Sequence, residues 1–286
     1  MLIEKLWRAV RPFVPLQLYP ILSPIYRWRR RVQLKRIEED DRRYLALHPG
    51  LKVPPAVLRY NVVGPCSIEQ FLKGGEGTLN DIEFALQSIG KSLSQSRELL
   101  DFGCGCGRLA LALQNRGLTG LRAIGCDVDE RAILWCQQFL ERDKFVVNSA
   151  LPPSPFKNET FDLIWCGSVF THLDENRQDL WLAEINRILK PDGILLASVH
   201  GPQCWEPRLP SWTIDKLRRK GQVFARFGAD AGIHPAWYQV AWHTEQYIRE
   251  HWASVFEILG YLPLRFNDYQ DIVVARKRAR PLGTYG

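Results

Sequence analysis

Residues 99–108 read Leu-Leu-Asp-Phe-Gly-Cys-Gly-Cys-Gly-Arg: a short apolar run, an acid, then three glycines at alternate positions leading into a helical pattern. The run predicts a strand over Glu98–Phe102, and the pattern a helix over Arg108–Asn115 with Leu109, Ala110 and Leu113 as its apolar positions. A glycine at every second position removes a Cβ wherever a ligand must approach the main chain. It also permits positive φ where a strand turns sharply into a helix. Such a turn constrains the fold to an α/β sheet whose ligand crevice lies at the carboxyl ends of the strands.

The spacing discriminates between ligands. A dinucleotide fingerprint, G-x-G-x-x-G, needs its third glycine at position 108, which is Arg108. The pattern present is Asp101-x-Gly103-x-Gly105-x-Gly107, with an acid that repels a pyrophosphate and suits an ammonium group. About twenty residues on, a second apolar run, Leu121–Cys126, ends in Asp127, placed to accept hydrogen bonds from both hydroxyls of a ribose. A ligand with an amino acid at one end and a ribose at the other is S-adenosylmethionine.

On these residues the chain resembles the class I S-adenosylmethionine-dependent methyltransferases, over roughly Phe71 to Arg276. Further segments follow in that family's order. Phe145–Asn148 resembles the third strand, followed by the Pro152–Phe156 loop, and Phe161–Trp165 resembles the fourth. Trp181–Leu189 and Lys190-Pro191-Asp192-Gly193 are similar to the helix and turn before a fifth strand, Ile194–Val199. Phe256–Tyr261 and Gln270–Arg276 resemble the final antiparallel pair. The resemblance implies a doubly wound, mostly parallel seven-stranded sheet with an antiparallel last strand. The Asp101–Arg108, Ser168–Leu173 and Gln270–Val274 stretches are similar to a bacterial subgroup associated with sugars and glycolipids, so a small molecule or glycan is the expected acceptor.

With 286 residues, 46% of them hydrophobic, the chain can bury one large core. Its seven cysteines contain no C-x-x-C pair, so the expectation is a reduced, cytoplasmic protein without a metal site. Charge is uneven. Residues 1–60 hold thirteen Lys and Arg against five Asp and Glu, a net +8 within a chain of net +7, so everything after them is close to neutral. A nucleic-acid groove across residues 61–286 is therefore unsupported.

Residues 1–60 read as a basic helical extension and 61–286 as the catalytic domain. Leu2, Ile3, Leu6, Trp7 and Val10 share one helical face. Pro12–Tyr26 is apolar but broken by Pro12, Pro15, Pro20 and Pro24, too short for a membrane span, and lacks a secretory cleavage site. Arg27–Leu47 reads as a helix. Two readings stand for residues 1–45: they lie on an anionic membrane surface, or they pack across the core and cover the site. Downstream, Phe71–Gly75 reads as a loop before a helix over Leu79–Ile89, capped by Thr78 with Asp81. The resemblance makes Phe71 and Gly74 cofactor-side candidates.

Methyl transfer is an in-line displacement in which alignment and exclusion of water dominate. A hydroxyl acceptor also needs a base, and histidine suits the task. Of six histidines, His200 and His172 stand at carboxyl ends of strands and are the candidate bases, with His200 first. Residues 201–241 are long for a connection and are expected to carry the acceptor pocket. Trp205, Trp212, Phe224, Phe227, His234, Trp237, Tyr238, Trp242 and His243 supply its aromatic and polar groups. Trp205, His234, Tyr238 and His243 are the expected substrate residues, His234 and His243 being also the reserve bases. For the cofactor, Asp101 and the backbone of Gly103 would take the ammonium, Gly105 and Gly107 would let the loop pass under the sugar, and Asp127 would hold the ribose. Asn148 and Ser149 would lie near the adenine, Ser168 near the methionine, and Arg108 either at the methionine carboxylate or in solvent. The competing readings are an NAD-dependent oxidoreductase and a non-catalytic module that only binds the cofactor.

Overall fold

The structure is a computed structural model, in which residues 19–118, 120–140, 144–225 and 239–278 are described. Apolar runs give β1 (Glu98–Phe102), β2 (Arg122–Asp127), β3 (Lys144–Val147), β4 (Phe161–Cys166) and β5 (Leu189–Val199), which pair in parallel. A hairpin of β8 (Phe256–Phe266) and β9 (Gln270–Lys277) closes the sheet, with β9 antiparallel to β5. The order is β3-β2-β1-β4-β5-β9-β8. It reverses between β1 and β4, and ligands of open α/β sheets bind at such a reversal. A separate two-stranded sheet joins β6 (Gln222–Ala225) to β7 (Val240–His243), with Gln222 opposite His243.

Helices cover both faces because successive strand residues point to opposite sides. Leu99 joins Leu79, Ile82, Leu109 and Leu113, from α3 (Ile68–Gln87) and α4 (Arg108–Arg116). Leu100 joins Trp181, Leu182 and Ile185 of α6 (Glu175–Ile188) on the other face. A third cluster ties α5 (Glu130–Phe139), through Ile133, to Leu111 and to Leu58 of α2 (Ala56–Val63). The expected acceptor segment begins with α7 (Pro202–Trp205) and α8 (Ser211–Lys220), and after β7 the chain enters α9 (Glu245–His251).

Three expectations are corrected. Phe71–Gly75 is helix, not loop: α3 starts at Ile68, where Ser67 and Gln70 form a reciprocal capping box, with Gln70 N–H donating to Ser67 Oγ at 3.1 Å. Thr78 and Asp81 are interior to it, Thr78 Oγ1 donating back to Gly74 O at 2.9 Å and Asp81 pairing with Arg265. Glycine survives there because α3 crosses α4 closely, and a Cβ on Gly75 would sit 2.7 Å from the carbonyl oxygen of Arg108. Second, α6 begins at Glu175, six residues before Trp181, because Asp174 caps it by accepting from Arg177 N at 2.9 Å. The turn at Lys190–Gly193 is absorbed into β5 as a register shift against β4.

Third, α1 runs from Tyr19 to Leu47, over Pro20 and Pro24, where a broken segment was expected to reach Tyr26. Pro20 falls in the first turn, where backbone N–H groups have no helical partner to lose, and Pro24, inside the helix, forgoes a single backbone bond. α1 lies along α2. Arg30 Nη2 donates to Asn61 Oδ1 at 2.7 Å, Tyr60 OH donates to Gln33 Oε1 at 2.9 Å, and the buried Arg59 pairs with Asp41. The expected boundary at residue 60 therefore falls inside α2. The predicted helix over residues 2–11 lies outside the described residues. No described helix is long and apolar enough to cross a membrane.

Candidate functional site

A cleft of about 330 Å³ opens where the sheet order reverses, above the carboxyl ends of β1, β2, β3 and β4. Its floor is the glycine turn. Gly103 and Cys104 both donate their N–H to Cys126 O, at 2.8 and 3.0 Å, which holds the turn against the end of β2. Gly103 has φ +81°, and a Cβ there would lie 2.5 Å from Val169 Cγ2. No other residue fits that conformation in that space.

Asp127 organises the rim. Its Oδ2 accepts from Gly105 N–H at 2.8 Å, its Oδ1 from Asp129 N–H at 2.8 Å, and its own carbonyl accepts from Asn148 N–H at 2.8 Å. The turns after β1, β2 and β3 are thus laced through one residue. Burial pushes the Asp127 carboxyl above its ordinary range, against the pull of the N–H groups of Asp129 and Gly105. Each carboxylate oxygen keeps acceptor capacity beyond its backbone bond. Asn148 is buried, and its Oδ1 has no partner among the described residues.

On the β4 side, Ser168 adopts φ +58° and is held by side chains from two other strands. Its N–H donates to Ser198 Oγ at 2.7 Å, Ser198 Oγ donates to Gln270 Oε1 at 2.6 Å, and Gln270 Nε2 donates to Ser168 Oγ at 2.9 Å. Four residues on, His172 Nδ1 lies 2.6 Å from Gln239 O. A carbonyl oxygen only accepts, so the Nδ1 carries the hydrogen and the Nε2 the lone pair. Trp181 of α6 backs the cleft, edge-on to Phe102 at 4.9 Å between centroids.

Of the residues expected at the site, Gly103, Gly105, Asp127, Asn148, Ser149, Ser168 and His172 line the cleft. Asp101 does not: it is buried beneath the turn, and its charge acts on Arg108. Gly107 is the left-handed N-cap of α4, against Leu140. Arg108 is half-buried and off the cleft wall; its guanidinium lies over Gly74. Phe71 is buried in the α2–α5 cluster.

His200 lies off the cleft wall. It is buried, its Nδ1 faces Ala241 O at 3.0 Å, and burial pulls its pKa down to about 4. His243 is fully buried against the Gln178 amide, 3.1 Å from its Oε1, and burial pulls it to about 3. Trp205 is core to the small sheet, with Leu217, Val223 and Trp242, and donates from Nε1 to His243 O at 3.0 Å. These two expected substrate residues therefore brace the segment from within. His234 and Tyr238 lie outside the described residues, as do Phe227 and Trp237.

Sequence reasoning missed Asn61 and Val62 of α2, which form part of the cleft wall. Val62 Cγ2 stands where a Cβ on Gly105 would be, 2.7 Å away. No local pattern marks these residues, because their place depends on α1 pressing α2 across the turn. The Ser198–Gln270 support of Ser168 was also missed, although the Gln270–Val274 stretch was singled out as a whole.

Comparison with known proteins agrees with this geometry. Residues 100–197 match a family described as "Methyltransferase domain". An uncharacterized protein of Haemophilus influenzae is 32% identical over 108 residues, covering 36% of this chain and 42% of that protein. The ribosomal protein L11 methyltransferase of Aquifex aeolicus is 25% identical over 132 residues, covering 46% of this chain and 53% of that protein. The chain thus spans about half the length of the curated relatives it matches. Among solved structures, an S-adenosylmethionine dependent methyltransferase from Mesorhizobium loti superposes with a TM-score of 0.51 at 13% identity, over 68% of this chain and 96% of that one. At that identity the likeness speaks for the fold. The family match over the glycine turn and the four strands that follow makes residues 100–197 similar to a methyltransferase domain, on the fold of that solved structure.

Proposed function

We propose that this chain transfers the methyl group of S-adenosylmethionine to a hydroxyl of a small molecule or glycan. The observation that carries the reading is the Asp127 carboxylate, fastened to Gly105 and Asp129 at the rim of the glycine turn. The residues present fit the cofactor. Asp127 retains lone pairs for two vicinal hydroxyls. The unpartnered amide oxygen of Asn148 suits an exocyclic amino group, since a buried acceptor left alone is costly. Gly103 and Gly105 line the cleft, where the methionine portion would lie against their main chain. When bound, the cofactor supplies a methyl group on a sulfonium leaving group.

The chain's own residues then align and deprotonate. The Ser168–Ser198–Gln270 network holds the β4 turn in its left-handed conformation, which fixes the wall along which an acceptor approaches. Trp181, Leu173 and Val169 exclude water from that side. His172, with its hydrogen on Nδ1, presents the tautomer a base needs at Nε2. Its position on the cleft wall favours it over His200, whose basicity is depressed by burial. A sugar hydroxyl is the acceptor that the resemblance to the bacterial subgroup supports.

Calorimetry with S-adenosylmethionine and with NAD, followed by a methyl-release assay over a panel of hydroxyl acceptors, tests the proposal. Preference for NAD returns the oxidoreductase. Cofactor binding without transfer to any acceptor returns the non-catalytic module.

A further inference from the structure

We infer that the N-terminal half of α1 docks on an anionic lipid surface. Independently of the methyl-transfer reading, it rests on how α1 divides its faces. Arg30, Gln33 and Asp41 point to α2, where they meet Asn61, Tyr60 and Arg59. The side away from α2 carries Trp28, Arg31 and Lys35, with Arg27 on its flank, all exposed, Trp28 by 64%. Positions 28, 31 and 35 are spaced as one helical face, with Arg27 beside it. The acids of α1 begin at Glu38, about 10 Å along the axis beyond Arg31, so Arg27 and Arg31 are not neutralised by their own helix.

An exposed indole among arginines matches a bilayer interface, where tryptophan settles at headgroup depth and cations meet lipid phosphates. The chain preceding α1 adds Leu2, Ile3, Leu6, Trp7 and Val10 beside Lys5, Arg8 and Arg11. Apolar residues of this kind gain from lipid and have no role on a phosphate backbone. The net charge after residue 60 is about −1 on the formal count, so the net basic charge of the chain is confined to residues 1–60. The favoured partner is therefore a membrane, to which two kinds of attraction contribute.

The test is co-sedimentation of the full chain with phosphatidylcholine vesicles and with vesicles also containing phosphatidylglycerol. Binding to the anionic vesicles alone, weakening as salt is added, is expected. Replacing Arg27→Glu, Trp28→Ala and Arg31→Glu together should lower partitioning by at least about tenfold, with the circular dichroism spectrum and melting temperature retained. Trp28→Ala alone should lower it less, as a milder check on the same face. Equal binding to neutral and anionic vesicles, or wild-type partitioning by the triple variant, overturns the inference. Tighter binding to a single-stranded RNA homopolymer than to the anionic vesicles assigns the face to nucleic acid and also overturns it.

Discussion

The backbone N–H of Gly105 donates to Oδ2 of Asp127 at 2.8 Å, so the turn after β1 and the acid after β2 form one rigid edge of the cleft. Removing the carboxylate takes away the anchor of the turn and, with it, the proposed acceptor for the ribose hydroxyls. Asp127→Ala should weaken S-adenosylmethionine binding by about 1.5–3 kcal/mol, the scale of charge-assisted hydrogen bonds, read by calorimetry. An unchanged dissociation constant would mean that another acid holds the ribose.

Arg30 reaches across from α1 to Asn61 and sets the amide with Oδ1 towards the guanidinium. Arg30→Ala frees that amide to turn. Cofactor affinity should fall by about 0.5–1.5 kcal/mol, the net worth of one such bond, while the melting temperature changes little because the Arg59–Asp41 pair still joins the helices. If calorimetry finds no loss, Asn61 borders the cleft without contributing to binding.

The two candidate bases separate cleanly. His172→Ala should lower kcat by roughly 100-fold or more and leave the cofactor dissociation constant alone, since His172 lies on the β4 side, away from Asp127. His200→Ala should instead reduce stability, by about 1–3 kcal/mol, through loss of its bond to Ala241 O and its edge contact with Tyr269. A large fall in kcat for folded His200→Ala, with His172→Ala near wild type, would exchange the roles.

Acid stability follows from Glu184. Burial raises its pKa, but hydrogen bonds from Arg187 and from the Ser154 hydroxyl and N–H outweigh burial and hold the carboxyl at about 2, against an ordinary 4.5. A depressed carboxyl contributes stability that is present above 4.5 and lost as pH falls through about 2. Glu184→Gln should therefore be less stable than wild type at neutral pH by about 1.5–3 kcal/mol, with the gap closing below pH 4.5. His200 and His243 add an earlier loss. Both are kept neutral by burial, at about 4 and about 3, so the unfolded chain takes up protons first as pH drops below 6.5. Melting temperatures of wild type and Glu184→Gln across this range check both signs.

Much of the fold was legible because it is written in short-range periodicity. Glu98–Phe102 is a strand of five residues in the pattern and in the molecule, and the apolar runs ending at Asp127 and beginning at Phe161 and Phe256 each became a strand of the sheet. Helix boundaries were less legible where a residue's ordinary preference was overruled. Gly74 and Gly75 read as a break, since glycine disfavours helix interiors, yet the missing Cβ of Gly75 is what lets α3 cross the Arg108 carbonyl.

The chain by itself determined a strand–glycine–helix turn followed by a second strand ending in an acid, and with them a ligand crevice at a known edge of an α/β sheet. Those features depend on neighbours within a few residues, where spacing decides geometry. Only the tertiary structure decided which distant side chains meet there. Asn61 reaches the cleft because α1 presses α2 onto the turn, and His172 rather than His200 lines the cleft because the β6–β7 sheet covers His200. Such contacts arise from the packing of separately formed elements, and no local run of residues encodes them.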